Sequence, residues 1–161
     1  MSEKVVVVNT HPGENPEFVG KLVDFMHSLD IEPEVVEGYE HVNPLDGNLS
    51  HIILTGVPAD AHYSLAEADT QKEVTKAFGW LRDCKCPVLG ICYGHQILAY
   101  IFGGEVSSLK TMVKDESFPL AWKADSDNGI FSKIESLEVF AEHHDYVSEV
   151  PHGFTVLSQE G

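Results

Sequence analysis

A cysteine between two glycines is the residue of this chain best suited to chemistry. Cys92 lies in the stretch GICYGHQ, with Gly90 and Gly94 two residues to either side. A nucleophile at a sharp strand-to-helix turn needs small neighbours, because the turn forces it into a strained backbone conformation. The N-terminus of the following helix favours a thiolate, so we expect a lowered Cys92 pKa. The backbone N–H of Tyr93 would then lie beside a developing oxyanion.

Other motifs that could bind a ligand are weaker. The C-x-C spacing of Cys84 and Cys86 could hold a soft metal or form a redox pair. No Cys or His pair stands nearby at zinc spacing, so we interpret this spacing as the coincidence of a helix end and a strand start. Residues 125–129 (DSDNG) resemble part of a calcium loop but lack its spacing, and we expect a solvated turn. No phosphate-binding glycine motif occurs in the sequence.

The elements that must position Cys92 alternate between strands and helices. A run of β-branched residues, KVVVVN at 4–9, is typical of a central strand buried on both faces. Hydrophobic spacing and turn residues predict further strands at 34–36, 51–55 and 88–92, and helices at 16–29, 64–83 and 93–102, with Ser64 as a helix cap. Since ligands of parallel α/β sheets bind beyond the carboxyl ends of the strands, Cys92 lies where a site is expected.

The pattern changes in the second half of the chain. It predicts strands at 105–109, 118–123, 137–142 and 154–158, with one short helix at 130–134. We find no linker or repeat, so we predict one α/β domain over residues 1–161. Its mostly parallel central sheet should carry helices on both faces, with an added β-rich portion.

Composition excludes several classes of function. The 161 residues carry a formal net charge of −16, so there is no basic patch to bind nucleic acid or an anionic membrane. No apolar run approaches the ~18 residues of a membrane span. Three cysteines, an odd number, fit a reducing compartment better than a disulfide framework, and we expect a cytoplasmic protein.

Three segments together resemble the class I (triad-type) glutamine amidotransferases. GICYGHQILAYIFGGEV resembles their nucleophile segment, G-[IV]-C-x-G-[HM]-Q followed by an apolar helix and Gly-Gly. ILTGVP at 53–58 resembles their oxyanion strand and loop. HHDYVSEVPHGFTVLSQ at 143–159 resembles the S-H-x-D-x-V…P-x-G-F segment, in a form most like GMP synthetases. The resemblance covers essentially the whole chain and implies a flavodoxin-like fold.

The resemblance also implies a reaction. A thiolate attacks the side-chain amide of glutamine, ammonia leaves, and water hydrolyses a glutamyl thioester, with no metal and no organic cofactor. Ammonia would pass to a synthetase domain or subunit. The implied residues are the nucleophile Cys92, the oxyanion hole formed by the N–H groups of Tyr93, Gly56 and Val57, and the glutamine-binding residues Gln96, His143, His144 and Asp145.

The sequence departs from the family pattern at two places. Val57 stands where a second glycine is usual, and a β-branched residue resists a positive φ, so the loop could be less competent. The family's catalytic His and Glu lie in a Q-F-H-P-E segment that residues 1–161 do not contain. We therefore expect a C-terminally incomplete domain that lacks its final strand and helix.

Three hypotheses account for the missing base. The segment lies beyond residue 161; or another histidine substitutes, with His143 and His144 ahead of His11 and His62; or the protein has lost catalysis and works by binding. We favour the first. A stand-alone γ-glutamyl hydrolase or peptidase is a further alternative to a synthetase-linked glutaminase.

Overall fold

The computed structural model describes residues 4–11, 16–39, 49–58, 63–119, 121–122 and 138–159. In chain order the elements are β1 (Lys4–Asn9), α1 (Pro16–His27), β2 (Glu34–Glu37), β3 (Leu49–Leu54), α2 (Ala68–Phe78), a 3-10 helix (Gly79–Asp83), β4 (Val88–Gly90), α3 (Tyr93–Ile101), β5 (Glu105–Pro119), β6 (Ala121–Trp122), β7 (Glu138–Glu149) and β8 (Ser158–Gln159).

A parallel sheet forms the first half of the chain. Its strand order is β2-β1-β3-β4, and every neighbouring pair is parallel. The valines of β1 explain its place in the middle, because Val6, Val7 and Val8 are at most 2% exposed and so need cover on both faces. From β1 the chain first adds β2 on one side and then β3 on the other. This reversal opens a crevice at the carboxyl ends of β1 and β3, where α/β sheets bind their ligands.

Helices cover the sheet unequally. One face packs against α2 and α3 in a single hydrophobic core, whose members include Val6, Val8, Ile52 and Leu54 from the strands, Val74 and Phe78 from α2, and Ile97 and Ile101 from α3. Right-handed crossovers put α1 on the opposite face, because β2 and β3 lie on opposite sides of β1.

The sheet face on the side of α1 is exposed at its two outer strands, β2 and β4. Val35, Val7, Ile53 and Leu89 are aligned across the four strands. Val7 is fully buried, whereas Val35 is 42% exposed and Leu89 is 57% exposed. In the described part of the chain, β4 is therefore an edge strand with an uncovered apolar side chain.

An antiparallel ribbon, β5 with β7, supplies the added β-rich portion. Its pairing is irregular: Ser108 pairs with Asp145 and Val113 with His143, so β5 advances five residues while β7 advances two. Such bulges bend a strand and redirect its side chains.

The predicted fold class is confirmed, and most predicted elements are present with shifted ends. The helix predicted at 64–83 consists of α2 and the 3-10 helix, with Glu67 rather than Ser64 before its first residue. Ser64 Oγ instead accepts the N–H of Ala66 at 3.2 Å in a turn. The strands predicted at 105–109 and 118–123 are largely one strand, β5, and 154–158 is wrong except at Ser158, where β8 begins. The short helix predicted at 130–134 lies outside the described residues.

Candidate functional site

Cys92 occupies the corner between β4 and α3 in a strained backbone conformation. Its φ is 50° and its ψ is −110°, and Asp30 is the only other non-glycine residue of the described chain with a positive φ. Hydrogen bonds hold this corner: Ile91 N–H donates to Leu54 O at 3.0 Å, and Gly94 N–H donates to Thr55 O at 3.0 Å. The end of β3 therefore fixes the residues on both sides of Cys92.

The two glycines that flank Cys92 are required by close packing. A Cβ added to Gly94 would lie 2.5 Å from Leu54 O, and one added to Gly90 would lie 2.6 Å from Gly94 O. Both distances are far below the 3.4–4 Å of ordinary van der Waals contact. The spacing of glycine, cysteine and glycine is thus a consequence of how tightly β3, β4 and α3 meet.

Paired threonines fix the bottom of the crevice. Thr10, just after β1, donates its hydroxyl to Thr55 O at 2.7 Å, and its N–H to Thr55 Oγ1 at 3.1 Å. Both threonines are fully buried. Because Thr55 O also accepts the Gly94 N–H, this pair links β1 and β3 to the first turn of α3.

Two of the predicted oxyanion groups lie beside the cysteine. The Tyr93 backbone N–H forms a hydrogen bond to the Cys92 sulfur. Gly56 adjoins Cys92 so closely that a Cβ there would be 3.1 Å from Cys92 Cβ and 3.9 Å from Cys92 Sγ. Val57 has no positive φ, so its β-branched side chain does not strain the loop as the sequence suggested.

Cys92 opens onto a cavity of about 520 Å³. Of the predicted site residues, all but Gly56 line it: Val57, Cys92, Tyr93, Gln96, His143, His144 and Asp145. Six lining residues were not predicted as site residues: Pro58, Tyr63, Ser64, Glu67, Met112 and Glu142. Pro58 and Glu142 lie in or beside the recognised segments, whereas Met112 comes from the bulged part of β5, which no sequence motif marks.

A buried carboxylate lies in the cavity wall. The Asp145 side chain is 5% exposed, and its Oδ1 accepts the Ser108 hydroxyl at 2.7 Å. Its Oδ2 is buried with no hydrogen-bond partner within the described structure. Gln96, also buried, donates its side-chain N–H to the Asp145 carbonyl at 3.0 Å. This contact ties α3 to β7 directly beside the cysteine.

The two candidate histidines also depend on Asp145. His144 Nδ1 lies 3.2 Å from Asp145 Oδ1, and His143 Nδ1 lies 3.1 Å from the Asp145 carbonyl oxygen. Neighbouring residues of a regular strand face opposite sides. Both histidines nevertheless line the cavity, because they lie opposite the bulge of β5.

The expectation of a lowered Cys92 pKa is wrong. Loss of hydration raises the pKa of the thiol, although Cys92 is exposed at the mouth of the cavity. The Tyr93 N–H opposes this shift, while the negative charges of Asp145 and Glu142 add to it. The sequence showed the helix N-terminus but not the carboxylates across the cavity.

Neither a metal-binding cluster nor a membrane-spanning helix occurs in the described part of the chain. No group of three or more His, Cys, Asp or Glu side chains there could hold a metal ion. No helix among the same residues is long and apolar enough to cross a membrane.

Comparison with known proteins identifies the family. The model of the class-I glutamine amidotransferases matches residues 16–161. The chain belongs to this family.

Relatives of this amidotransferase chain include one subunit of the glutamine-hydrolysing GMP synthase from Methanosphaera stadtmanae. It is 33% identical over 140 residues, which cover 86% of this chain and 64% of the relative. The glutamine-hydrolysing GMP synthase of Clostridium novyi is 36% identical over 114 residues, covering 69% of this chain and 20% of that one. The chain thus spans less than two thirds of the length of these curated relatives.

A solved structure agrees in fold. A glutamine amidotransferase from Thermotoga maritima superposes with a TM-score of 0.70 at 20% identity, covering 98% of this chain and 67% of that one. At this identity the likeness extends to the fold alone.

Proposed function

We propose that this chain is the glutamine-hydrolysing part of an ammonia-transferring enzyme. Cys92 attacks the side-chain carbonyl carbon of glutamine, ammonia leaves, and water hydrolyses the resulting glutamyl thioester. The N–H groups of Tyr93, Gly56 and Val57 stabilise the oxyanion that forms at each addition step. No metal or organic cofactor takes part.

The observation that carries this proposal is the backbone of Cys92. A cysteine with φ 50° and ψ −110° costs about 1–3 kcal/mol, and such strain persists where the surrounding structure imposes it. Here it directs a thiol into a cavity, next to a helix N-terminus and a tightly apposed glycine. A structural cysteine has no need of this geometry.

The cavity suits an amino acid with a free ammonium group. Its volume of about 520 Å³ holds glutamine with room for water. Three carboxylates, Glu67, Glu142 and Asp145, line it. We assign Asp145 Oδ2 to the substrate α-ammonium, because a buried oxygen without a partner is costly until a donor reaches it. Gln96 supports this subsite by holding the Asp145 carbonyl, and His143 and His144 complete its wall.

Substrate binding would then activate the nucleophile. In the free protein the Asp145 charge helps to raise the pKa of Cys92. An α-ammonium beside Asp145 would neutralise that charge and so favour the thiolate. Cys92 would ionise most readily when glutamine is present.

We propose that the general base is supplied from outside residues 1–161, against the edge of β4. One feature supports this. The β4 edge is unpaired in the described structure, with Leu89 57% exposed. The competing base among the described residues is His144, because the Asp145 carboxylate beside its Nδ1 would orient the ring and leave Nε2 to accept a proton. General-base assistance is typically worth about 10²–10⁴-fold, so the 161-residue chain alone should have little glutaminase activity.

The ammonia acceptor would be a synthetase domain or a separate synthetase chain. The likeness to the GMP synthases of Methanosphaera stadtmanae and Clostridium novyi supports a purine-forming partner. The three cysteines and the acidic charge are consistent with a cytoplasmic site of action.

Labelling of Cys92 tests the function. A glutamine analogue with an electrophile at the side-chain carbonyl should modify Cys92 faster than Cys84 or Cys86, and free glutamine should protect Cys92. Modification is mapped by peptide mass spectrometry, with asparagine as the matched non-protecting control. If Cys92 is the slowest of the three thiols, or if asparagine protects equally, the assignment fails.

Turnover tests the source of the base. Where the coding sequence continues past residue 161, the extended chain should produce glutamate, and Cys92→Ala should abolish this production. If the 161-residue chain already turns over well, a resident histidine is the base. His144→Ala should then inactivate more than His143→Ala, since only His144 lies against the Asp145 carboxylate. Activity that survives all three substitutions would refute the nucleophile.

One observation favours a second function, binding without catalysis. A raised Cys92 pKa leaves the free protein with little thiolate at neutral pH. If glutamine binds, measured by calorimetry, but neither the extended chain nor a mixture with a synthetase releases glutamate, the protein is a glutamine-binding regulator.

A further inference from the structure

The thiols of Cys84 and Cys86 are adjacent in space as well as in sequence. Their sulfur atoms lie 3.4 Å apart, and Cys84 Sγ also lies 3.7 Å from the Cys86 carbonyl oxygen. Both side chains are partly buried and pack against the core. Side chains at alternate positions of extended backbone point the same way, which brings these two thiols together.

The backbone holds this arrangement in place on both sides. Cys84 directly follows the 3-10 helix, and its N–H donates to Leu81 O at 3.2 Å. Pro87, directly after Cys86, accepts the N–H of Ile52 at 3.0 Å. Arg82 donates its Nε–H to Ile101 O at 2.9 Å, which fastens the same segment to the end of α3. The thiol pair therefore lies on a fixed connection between two packed elements.

Two thiols without further ligands suit a disulfide better than a metal. A structural zinc site needs four ligands. Within the described residues these cysteines belong to no group of three or more side chains that could bind a metal. A disulfide has a sulfur separation of about 2.05 Å, so the two sulfurs need to approach by only about 1.4 Å.

We propose that Cys84 and Cys86 form a redox site that low-molecular-weight disulfides, of the glutathione class, oxidise reversibly to an internal disulfide. The Cys84 thiolate attacks one sulfur of the external disulfide, which expels one thiolate and leaves a mixed disulfide on Cys84. Cys86 then loses its proton and attacks the Cys84 sulfur, and the second external thiol leaves. The protein loses two electrons and two protons, and the external disulfide becomes two thiols.

The environment of Cys86 sets the order of these steps. Loss of hydration and the neighbouring Cys84 thiol raise the pKa of Cys86 to about 11. Cys86 is thus protonated at neutral pH, which leaves Cys84 as the first attacking thiol. A ring closed over only one intervening residue is strained, and strained disulfides are the readily reduced ones.

Cys92 cannot form a disulfide with Cys84 or Cys86 in place of the other. It is the only other cysteine of the chain and follows Cys86 by six residues. The extended strand β4 (Val88–Gly90) lies between Cys86 and Cys92, so their two thiols lie beyond opposite ends of that strand. Oxidant that reacts at Cys92 should therefore stop at a mixed disulfide.

Oxidation of the full chain with oxidised glutathione tests the proposal. In the wild-type protein Cys84 and Cys86 should lose both thiols and yield a joined peptide lighter by two hydrogen atoms, whereas any glutathione adduct should be found on Cys92. Dithiothreitol should restore both thiols. Because Cys86 Sγ lies 3.4 Å from Cys84 Sγ, the internal disulfide should replace the glutathione adduct on Cys84 once free glutathione is removed.

Matched variants separate this site from Cys92. Cys92→Ser should form the Cys84–Cys86 disulfide like the wild type, whereas Cys86→Ser should retain glutathione on Cys84. Equal glutathione retention on Cys84 in wild type and Cys86→Ser would overturn the proposal. So would oxidation confined to Cys92, or one zinc ion per chain that survives dialysis and blocks both thiols. The joined Cys84–Cys86 peptide of the wild-type protein decides the matter even if a variant fails to fold.

Discussion

Gly94→Ala should destabilise the protein and disturb Cys92, although alanine is normally the better helix residue. A Cβ at position 94 would lie 2.5 Å from Leu54 O and 2.7 Å from Leu54 Cβ, so these atoms must separate by nearly 1 Å to reach ordinary contact. Leu54 is fully buried and cannot shift freely, because its carbonyl accepts the Ile91 N–H at 3.0 Å.

The magnitude follows from three contributions. Overpacking of a buried contact costs about 1–3 kcal/mol, and a weakened backbone hydrogen bond costs a further ~0.5–1.5 kcal/mol. Alanine regains about 0.5–1 kcal/mol in helix propensity. We expect a net loss of about 0.5–4 kcal/mol, centred on about 2 kcal/mol, in the free energy of unfolding.

Gly20→Ala is the matched control. Gly20 lies within α1, and among the described residues no atom beyond its chain neighbours and the helix's own backbone lies within 4 Å of where its Cβ would be. The same substitution should therefore stabilise the protein by about 0.5–1 kcal/mol. Urea denaturation measures both variants, and the iodoacetamide reaction rate of Cys92 reports the geometry of the corner. Equal stability of the two variants, with an unchanged Cys92 rate in Gly94→Ala, would refute the close packing of α3 on β3.

Three further changes probe the site and the crevice. Since the Asp145 charge raises the pKa of Cys92, Asp145→Asn should lower it; the pH profile of iodoacetamide alkylation should move to lower pH, and an unmoved profile would contradict the pKa argument. In the wild type, alkylation should still accelerate as the pH passes the ordinary thiol value of 9.0. Gly56→Ala should slow labelling by the glutamine analogue about tenfold or more, since its Cβ crowds Cys92; unchanged labelling would exclude this loop from the oxyanion hole. Thr10→Val, which removes the 2.7 Å bond to Thr55 O, should cost about 1–2 kcal/mol in urea denaturation, and a neutral result would remove that link from the crevice.

The sequence predicted the parallel half of the fold well because local patterns determine it. The valines of β1 could be stable only in the middle of a covered sheet, and the glycines at 90 and 94 marked a corner that only close packing explains. Family resemblance placed the oxyanion loop beside Cys92, and Gly56 does adjoin it.

The antiparallel half was harder because pairing between distant segments determines it. Residues 110–117 are rich in polar side chains and are typical of a loop, yet β5 continues through them by pairing with β7. The bulge that turns both His143 and His144 toward one cavity leaves no local signature.

The surroundings of the thiols also depend on the fold and could not be predicted from local sequence. The helix N-terminus behind Cys92 was visible in the sequence, but the opposing carboxylates come from β7, some fifty residues away. The C-x-C spacing of Cys84 and Cys86 alone does not predict the 3.4 Å between their sulfurs.

The backbone of Cys92 also bears on the choice of an inactive variant. A φ of 50° with a ψ of −110° is comfortable for glycine and strained for every residue with a Cβ. Cys92→Gly should therefore be about 1 kcal/mol or more stable than Cys92→Ala, although both lack the thiol. If Cys92 is the proposed nucleophile, the protein gives up stability at its reacting residue, and the glycine variant would be the more stable protein with which to capture intact glutamine.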